Sequence, residues 1–287
     1  MKILICGGEG QLGTDCAGVL GENHAIMSVD LEELDITVLS KVQAVVRDFG
    51  PDLILNCAAY TLVDACETKK DLAWKVNVLG PENLARSTAI DGSRLIHIST
   101  DYVFDGRRVV PEPYTEKDRP NPLSCYGATK LQGEEAIRKA TKDHIILRTA
   151  WLYGLRGPNF LKTMLKLALE DSQREIKVVN DQFGSPTWSY RLALQIKELI
   201  ERGGRGTYNA TSEGYCTWYA LAISFLEKMG VPHSLVPCAT VDYPTPAHRP
   251  RNSILENKRL KEEGIHIMKP WQDDLDHFCS RLRGIER

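Results

Sequence analysis

The 287 residues contain no Cys-x-x-Cys pair, no His-Glu-x-x-His, no block of basic residues and no apolar run as long as a membrane span. Each absence closes off a function. Without paired cysteines or spaced histidines there is no metal-ligand pattern, and no metal is expected. The eight cysteines are scattered, several inside apolar stretches such as Ile54-Leu55-Asn56-Cys57-Ala58, and read as buried, reduced thiols. A net charge of −2 offers no electrostatic grip on nucleic acid or an anionic membrane. The apolar start, Met1 to Cys6, runs into glycines rather than a cleavage region, so the expected location is the cytoplasm. No repeat or low-complexity segment interrupts a chain long enough for one large or two moderate domains.

What is present begins with Lys2-Ile3-Leu4-Ile5-Cys6, a short apolar strand that empties into Gly7-Gly8-Glu9-Gly10-Gln11-Leu12-Gly13 and then a helix through Leu20. Glycines between a strand and a helix N-terminus hold a pyrophosphate, because backbone N–H groups and the positive end of the helix face it. The segment fits both Gly-x-Gly-x-x-Gly and Gly-x-x-Gly-x-x-Gly. A glycine pattern alone is weak, but the next strand, Ala25 to Val29, ends in Asp30, about twenty residues on. A carboxylate there suits the adenosine ribose hydroxyls and repels a 2′-phosphate, which favours NADH over NADPH.

Strands and helices then alternate. Thr37 to Phe49 reads as a helix, Asp52 to Asn56 as a buried strand, Asp71 to Ala89 as a long helix, Arg94 to Ser99 and Ile145 to Arg148 as strands. The pattern predicts an α/β fold: a Rossmann-type doubly wound parallel sheet in residues 1–150, followed by a smaller, mixed α/β substrate domain in 151–287. The segment around 176–202, through the strand Ile176 to Val179, is expected to rejoin the main sheet.

The stretch that carries chemistry is Tyr126-Gly127-Ala128-Thr129-Lys130. On a helix, with Asn121 as cap and Pro122 in the first position, positions four apart share a face. The Lys130 ammonium is then expected to lower the Tyr126 phenol toward a working range for acid–base catalysis. Tyr-x-x-x-Lys is common by chance; its company gives it weight. Thr100 follows a strand that should neighbour this helix, so its hydroxyl can meet a substrate carbonyl together with Tyr126. Asn77, a polar residue between Val76 and Val78, needs partners if it faces the core.

Taken together, the glycine loop, Ser99-Thr100-Asp101-Tyr102-Val103-Phe104, Tyr126-x-x-x-Lys130, Asn180-Asp181-Gln182-Phe183-Gly184-Ser185-Pro186-Thr187 and His248-Arg249-Pro250 resemble the extended short-chain dehydrogenase/reductases. Within them the similarity is greatest to the nucleotide-sugar reductases of dTDP-rhamnose biosynthesis, and it covers nearly the whole chain. The resemblance implies an NAD(P)H-dependent oxidoreductase that reduces the C4 keto group of dTDP-4-dehydro-L-rhamnose, with Thr100, Tyr126 and Lys130 catalytic. It implies a cofactor site of Gly7, Gly10, Gln11, Leu12, Gly13, Asp30, Asp35, Ile36, Ala58, Ala59, Tyr60, Asn77, Tyr126, Lys130 and Ala150. It implies a substrate site of Thr100, Asp101, Trp151, Asn159, Gln182 and Arg249, in a monomer or homodimer. Some relatives hold magnesium through acidic side chains; here Asp15 is available but Trp188-Ser189-Tyr190 offers no carboxylate. Two other functions fit the same residues: an epimerase or related 4-ketoreductase, and a non-catalytic regulatory subunit, against which the intact Thr, Tyr and Lys argue.

Overall fold

The computed structural model describes residues 1–285. Its main sheet has six parallel strands: β1 (Lys2–Cys6), β2 (Ala25–Val29), β3 (Leu53–Asn56), β4 (Arg94–Thr100), β5 (His144–Thr149) and an edge strand, Gly206–Asn209. From edge to edge the order is β2-β1-β3-β4-β5 and then Gly206–Asn209. The chain leaves β1 for β2 on one side and returns to β3 on the other, so the direction of winding reverses between β1 and β3. In such sheets ligands bind in a crevice at that reversal, beyond the carboxyl ends of the strands.

The apolar strands bury both faces because side chains alternate. Ile3, Ile5, Leu53, Leu55 and Leu147 pack with helix α1 (Gln11–Gly21) and helix Ser189–Glu201. Leu4, Cys6, Ile54, Leu95 and Ile146 pack on the other face with α2 (Leu39–Phe49), α5 (Gly80–Asp91) and α6 (Cys125–Ala140). In α1 the buried Leu12, Cys16, Val19 and Leu20 recur at helical spacing and pack that face on the sheet, while the short loop from the carboxyl end of β1 keeps the helix N-terminus at that end.

Between α2 and α5 come two short helices, α3 (Val63–Thr68) and α4 (Lys70–Trp74), and the single helix expected over Asp71 to Ala89 is interrupted by a π-helical turn, Lys75–Leu79. That turn carries Asn77. Helix α6 starts later than expected: Pro122 leaves Asn121–Ser124 outside the helix, and the Ser124 side chain caps it, accepting from the Gly127 N–H at 3.1 Å. Asn121 instead donates to Asp105.

A second core gathers Tyr153 of the short strand Leu152–Tyr153 with Leu161, Leu165, Leu221, Phe225, Leu275 and Phe278 from helices Phe160–Glu170, Trp218–Met229 and Trp271–Ile285. The strand expected to rejoin the main sheet does not. Glu175–Val179 pairs in parallel with Ser234–Cys238 in a separate two-stranded sheet, because Ile176 and Val178 belong to this second core. The main sheet is extended instead by Gly206–Asn209. All eight cysteines are free thiols, and among the described residues no helix is long and apolar enough to cross a membrane.

Candidate active site

At the crevice the glycine loop runs from β1 into α1. The N–H groups of Gly7 and Gly8 both donate to the Val29 carbonyl, which fixes the loop against the end of β2. Gly10 is the cap residue of α1, and no side chain caps the helix nor is any residue of its first turn acidic. The N–H groups of Gln11, Leu12 and Gly13 are thus available to an anion. A Cβ on Gly13 would lie 2.1 Å from the Gly7 carbonyl oxygen, so the turn can be this tight only with glycine there. This cradle fits a dinucleotide pyrophosphate. Asp30 stands at its rim, accepting from the N–H groups of Glu9 and Leu31. Asp35 accepts from the hydroxyl and N–H of Thr37, which hold its carboxyl below the usual range despite partial burial. Ile36 is buried against α5.

Opposite, the segment after β3 is held by two asparagines. Asn56 accepts from the Ala58 N–H at 3.1 Å. Asn77 accepts from the Tyr60 N–H at 2.9 Å, donates to the Tyr60 carbonyl and reaches Thr129 of α6 at 3.2 Å. Asn77 therefore joins Ala58–Tyr60 to the helix that carries Tyr126 and Lys130. Thr149, at the end of β5, has a buried hydroxyl without a partner, next to Ala150.

Thr100, Asp101, Tyr126 and Lys130 converge where β4 meets α6. The Thr100 hydroxyl donates to Asp101 at 2.8 Å and accepts from the Tyr102 N–H. Burial pushes the Asp101 carboxyl up to about 6, against the hydrogen bonds that favour its ionised form. Tyr126 packs edge-on against Tyr102, ring centroids 5.5 Å apart. Its phenol departs from the sequence expectation. Burial, and next the Asp101 carboxylate, push it above its usual range, and Thr100 only partly offsets them. Lys130 does not lower it, because the Lys130 Nζ turns the other way: it donates to the Ile98 carbonyl at 2.7 Å and lies 3.2 Å from His97 Nε2. A phenol held protonated in this way is a proton donor, the form a carbonyl reduction consumes.

The second lobe closes the other side of the cleft. Trp151, at a positive φ of 47°, stacks on Trp218 with centroids 3.6 Å apart and covers Gly184. Three expected substrate residues have partners within the protein. Asn159 caps helix Phe160–Glu170 and donates to Gln11 and to the Gly154 carbonyl. Gln182 is buried and donates to Thr240. Arg249 grips Asp64 at the start of α3 with both terminal nitrogens, at 3.0 and 2.9 Å.

The family model for the RmlD substrate binding domain matches residues 1–283. A dTDP-4-dehydrorhamnose reductase of Aggregatibacter actinomycetemcomitans is 40% identical over 292 residues, covering 96% of this chain and 98% of the relative. The chain belongs to the dTDP-4-dehydrorhamnose reductase family. Among solved members of that family, the Clostridium acetobutylicum protein superposes with a TM-score of 0.95 at 41% identity, covering 99% of this chain and all of the other. The Bacillus anthracis member, solved in complex with NADP, gives 0.94 at 38% identity, covering 100% and 99%.

Residues to which sequence reasoning gave no role lie beside Lys130 in this family member. His97 and Asn56 form a buried pair next to Lys130, and Glu134 receives hydrogen bonds from Ser99, Arg138 and Arg148. The available signal was polarity in the wrong place. His97 interrupts an apolar strand, and Glu134 follows Lys130 by one helical turn.

Proposed function

We propose that this chain catalyses the NAD(P)H-dependent reduction of the C4 keto group of dTDP-4-dehydro-L-rhamnose, giving dTDP-L-rhamnose. The observation that supports it most is the meeting of a protonated Tyr126 with Thr100 and Asp101 beside an uncapped, glycine-lined helix terminus, in a chain that matches the named reductases along nearly their full length. In this reading residues 1–150 hold the dinucleotide and most of 151–287 the nucleotide-sugar. The nicotinamide cofactor supplies the hydride.

The chain's own residues do the rest. Gly7, Gly10 and the N–H groups of Gln11, Leu12 and Gly13 receive the pyrophosphate, and Asp30, Asp35 and Ile36 border the adenosine, where Asp30 favours NADH. Ala58, Ala59, Tyr60 and Ala150 line the dinucleotide, with Asn77 holding Tyr60. Tyr126 gives its proton to the sugar oxygen as C4 is reduced, and Thr100 keeps that oxygen in place. Trp151, stiffened by Trp218, offers an aromatic face to the sugar. Arg249 meets the diphosphate by exchanging or sharing its bond to Asp64.

The test is an absorbance assay of NADH and NADPH oxidation with a panel of nucleotide-linked 4-keto sugars. Oxidation should be fastest with dTDP-4-dehydro-L-rhamnose, and a clear preference for a different 4-keto sugar overturns the assignment.

A further inference from the structure

Tyr126 is only the second residue of α6, whereas Lys130 sits one turn further in with its Nζ held by the Ile98 carbonyl. The placement of the phenol therefore depends on what fixes the end of the helix, where the first N–H groups have no intrahelical partner and the chain tends to fray. Ser124 takes the Gly127 N–H at 3.1 Å. The N–H of Cys125, next to Tyr126, is taken by a residue from another element: Oε1 of Glu67, in α3, accepts it at 2.8 Å. The reaction as derived above gives Glu67 no part.

A carboxylate at a helix start is most often an ordinary cap that adds stability and nothing more. Two observations argue for more here. The first turn of α6 has no slack where it meets the end of β4: a Cβ on Gly127 would stand 2.1 Å from the Tyr102 carbonyl oxygen, and the Tyr126 ring meets the Tyr102 ring edge-on at 5.5 Å. A shift of that turn must move the phenol against Tyr102. The helix that presents Glu67 is also anchored. Asp64, three positions earlier and so on the same face of α3, accepts from both terminal nitrogens of Arg249 and from the Ala247 N–H at 3.1 Å. Between them the buried Cys66 points its thiol at the Tyr60 carbonyl, 3.8 Å away, which Asn77 also holds. Glu67 is thus carried on a helix tied both to the Arg249 loop and to the segment after β3.

We propose that Glu67 is a positioning residue for the reduction: by holding the Cys125 N–H it fixes the first turn of α6, and so the place of the Tyr126 hydroxyl relative to the sugar oxygen it protonates. The catalytic consequence rests on the reductase reading; the placement of the Tyr126 ring does not. Misplacing a reacting group by about 1 Å can cost on the order of 10² in rate. Loss of one hydrogen bond at the helix end displaces the phenol by less, and a turnover loss of roughly ten-fold is expected.

The experiment compares Glu67→Ala with Glu67→Gln, whose amide oxygen can still accept from Cys125, each alone and combined with Tyr126→Phe. Turnover, the Michaelis constant for dTDP-4-dehydro-L-rhamnose and the NADH dissociation constant are measured for each. Glu67→Ala should lower turnover about ten-fold with the other two constants within about two-fold, and Glu67→Gln should recover most of the loss. In the Tyr126→Phe background Glu67→Ala should cost nothing further, because the group it positions is gone. Equal losses in the two backgrounds, no loss in Glu67→Ala, or a Glu67→Gln as impaired as Glu67→Ala overturns the proposal. A second readout is NMR of the protein labelled in its tyrosine rings, with the Tyr126 signal assigned from Tyr126→Phe. That signal should move in Glu67→Ala and return in Glu67→Gln; an unmoved signal overturns the proposal. If Glu67→Ala does not fold, Glu67→Ser, too short to reach the Cys125 N–H, takes its place. If the unsubstituted protein reduces no 4-keto sugar, the reductase reading fails, and the tyrosine signal alone decides the placement by Glu67.

Discussion

Tyr126 and Lys130 were legible as a pair from their spacing together with the motifs around them, yet the direction of the phenol's shift was not. It depends on Asp101, at the end of another element, and on His97 and Ile98, which draw the lysine away. Tyr126→Phe should leave cofactor affinity near its original value and lower turnover by about 10²-fold or more, the usual loss when a general acid is removed. Steady-state kinetics with a separate cofactor titration checks both halves. Arg249 was legible as a cation near the substrate end, but its tie to Asp64 spans the chain and leaves no local signature. Arg249→Ala should weaken the nucleotide-sugar by roughly ten- to a hundred-fold, the loss of a charge-assisted contact of about 1.5–3 kcal/mol. Asp64→Asn tests the exchange: if the diphosphate competes with Asp64 for the fork, this variant binds the sugar at least as well as the original protein. Weakening by Asp64→Asn equal to that of Arg249→Ala would make the pair a structural clasp only.

At the scale of elements, the strands and glycine loop followed from apolar runs and turn chemistry, whereas the interruption of the helix before α5 did not. A π-helical turn accommodates one extra residue per turn, and the apolar spacing of Val76, Val78 and Leu79 does not reveal it. Its purpose is visible in the packing: it aims Asn77 at Tyr60 and Thr129, and brings its own carbonyl against α6 at Gly133. A Cβ at Gly133 would stand 2.2 Å from the Asn77 carbonyl oxygen, with backbone on that side unable to yield cheaply. Gly133→Ala is therefore expected to destabilise the protein by about 1–3 kcal/mol and to weaken the cofactor, since Ala58–Tyr60 hangs from Asn77. Denaturant unfolding and a cofactor titration measure the two effects; stability and affinity both unchanged would show that the helices can simply move apart.

Over the whole molecule, Asn159 of the second lobe reaches Gln11 of α1 and Arg249 reaches Asp64 of α3, long-range pairs that no sequence pattern announces. The α/β class was legible because buried parallel strands must be apolar on both faces. The membership of Glu175–Val179 was not, since an apolar strand fits either sheet and the choice is made by Ser234–Cys238. Beneath the site, Glu134 and Arg148 form a buried bidentate pair. Burial alone would raise the Glu134 carboxyl, but Arg148 and its other partners hold it below the usual range. A depressed carboxyl contributes stability above its unfolded pKa, near ~4.3, that is lost as pH falls through the folded value. Arg148→Met removes the buried cation and leaves the Glu134 carboxylate only Ser99 and the partly exposed Arg138. The variant should be about 3–5 kcal/mol less stable at neutral pH, with a deficit that shrinks as pH is lowered and Glu134 takes up a proton. Unfolding curves at several pH values test this, and a deficit independent of pH would exclude the under-compensated Glu134 charge as its cause.

The central claim is that hydride passes to C4 of the sugar while Tyr126 protonates the oxygen. Its most direct test incubates the protein with dTDP-4-dehydro-L-rhamnose and NADH or NADPH deuterated at nicotinamide C4, stereospecifically in separate samples, and locates the label by NMR and mass spectrometry. The account predicts one deuterium at C4 of dTDP-L-rhamnose from one of the two cofactor faces, with turnover largely lost in Tyr126→Phe. A product without deuterium from either face, or label at any other sugar carbon, would contradict it.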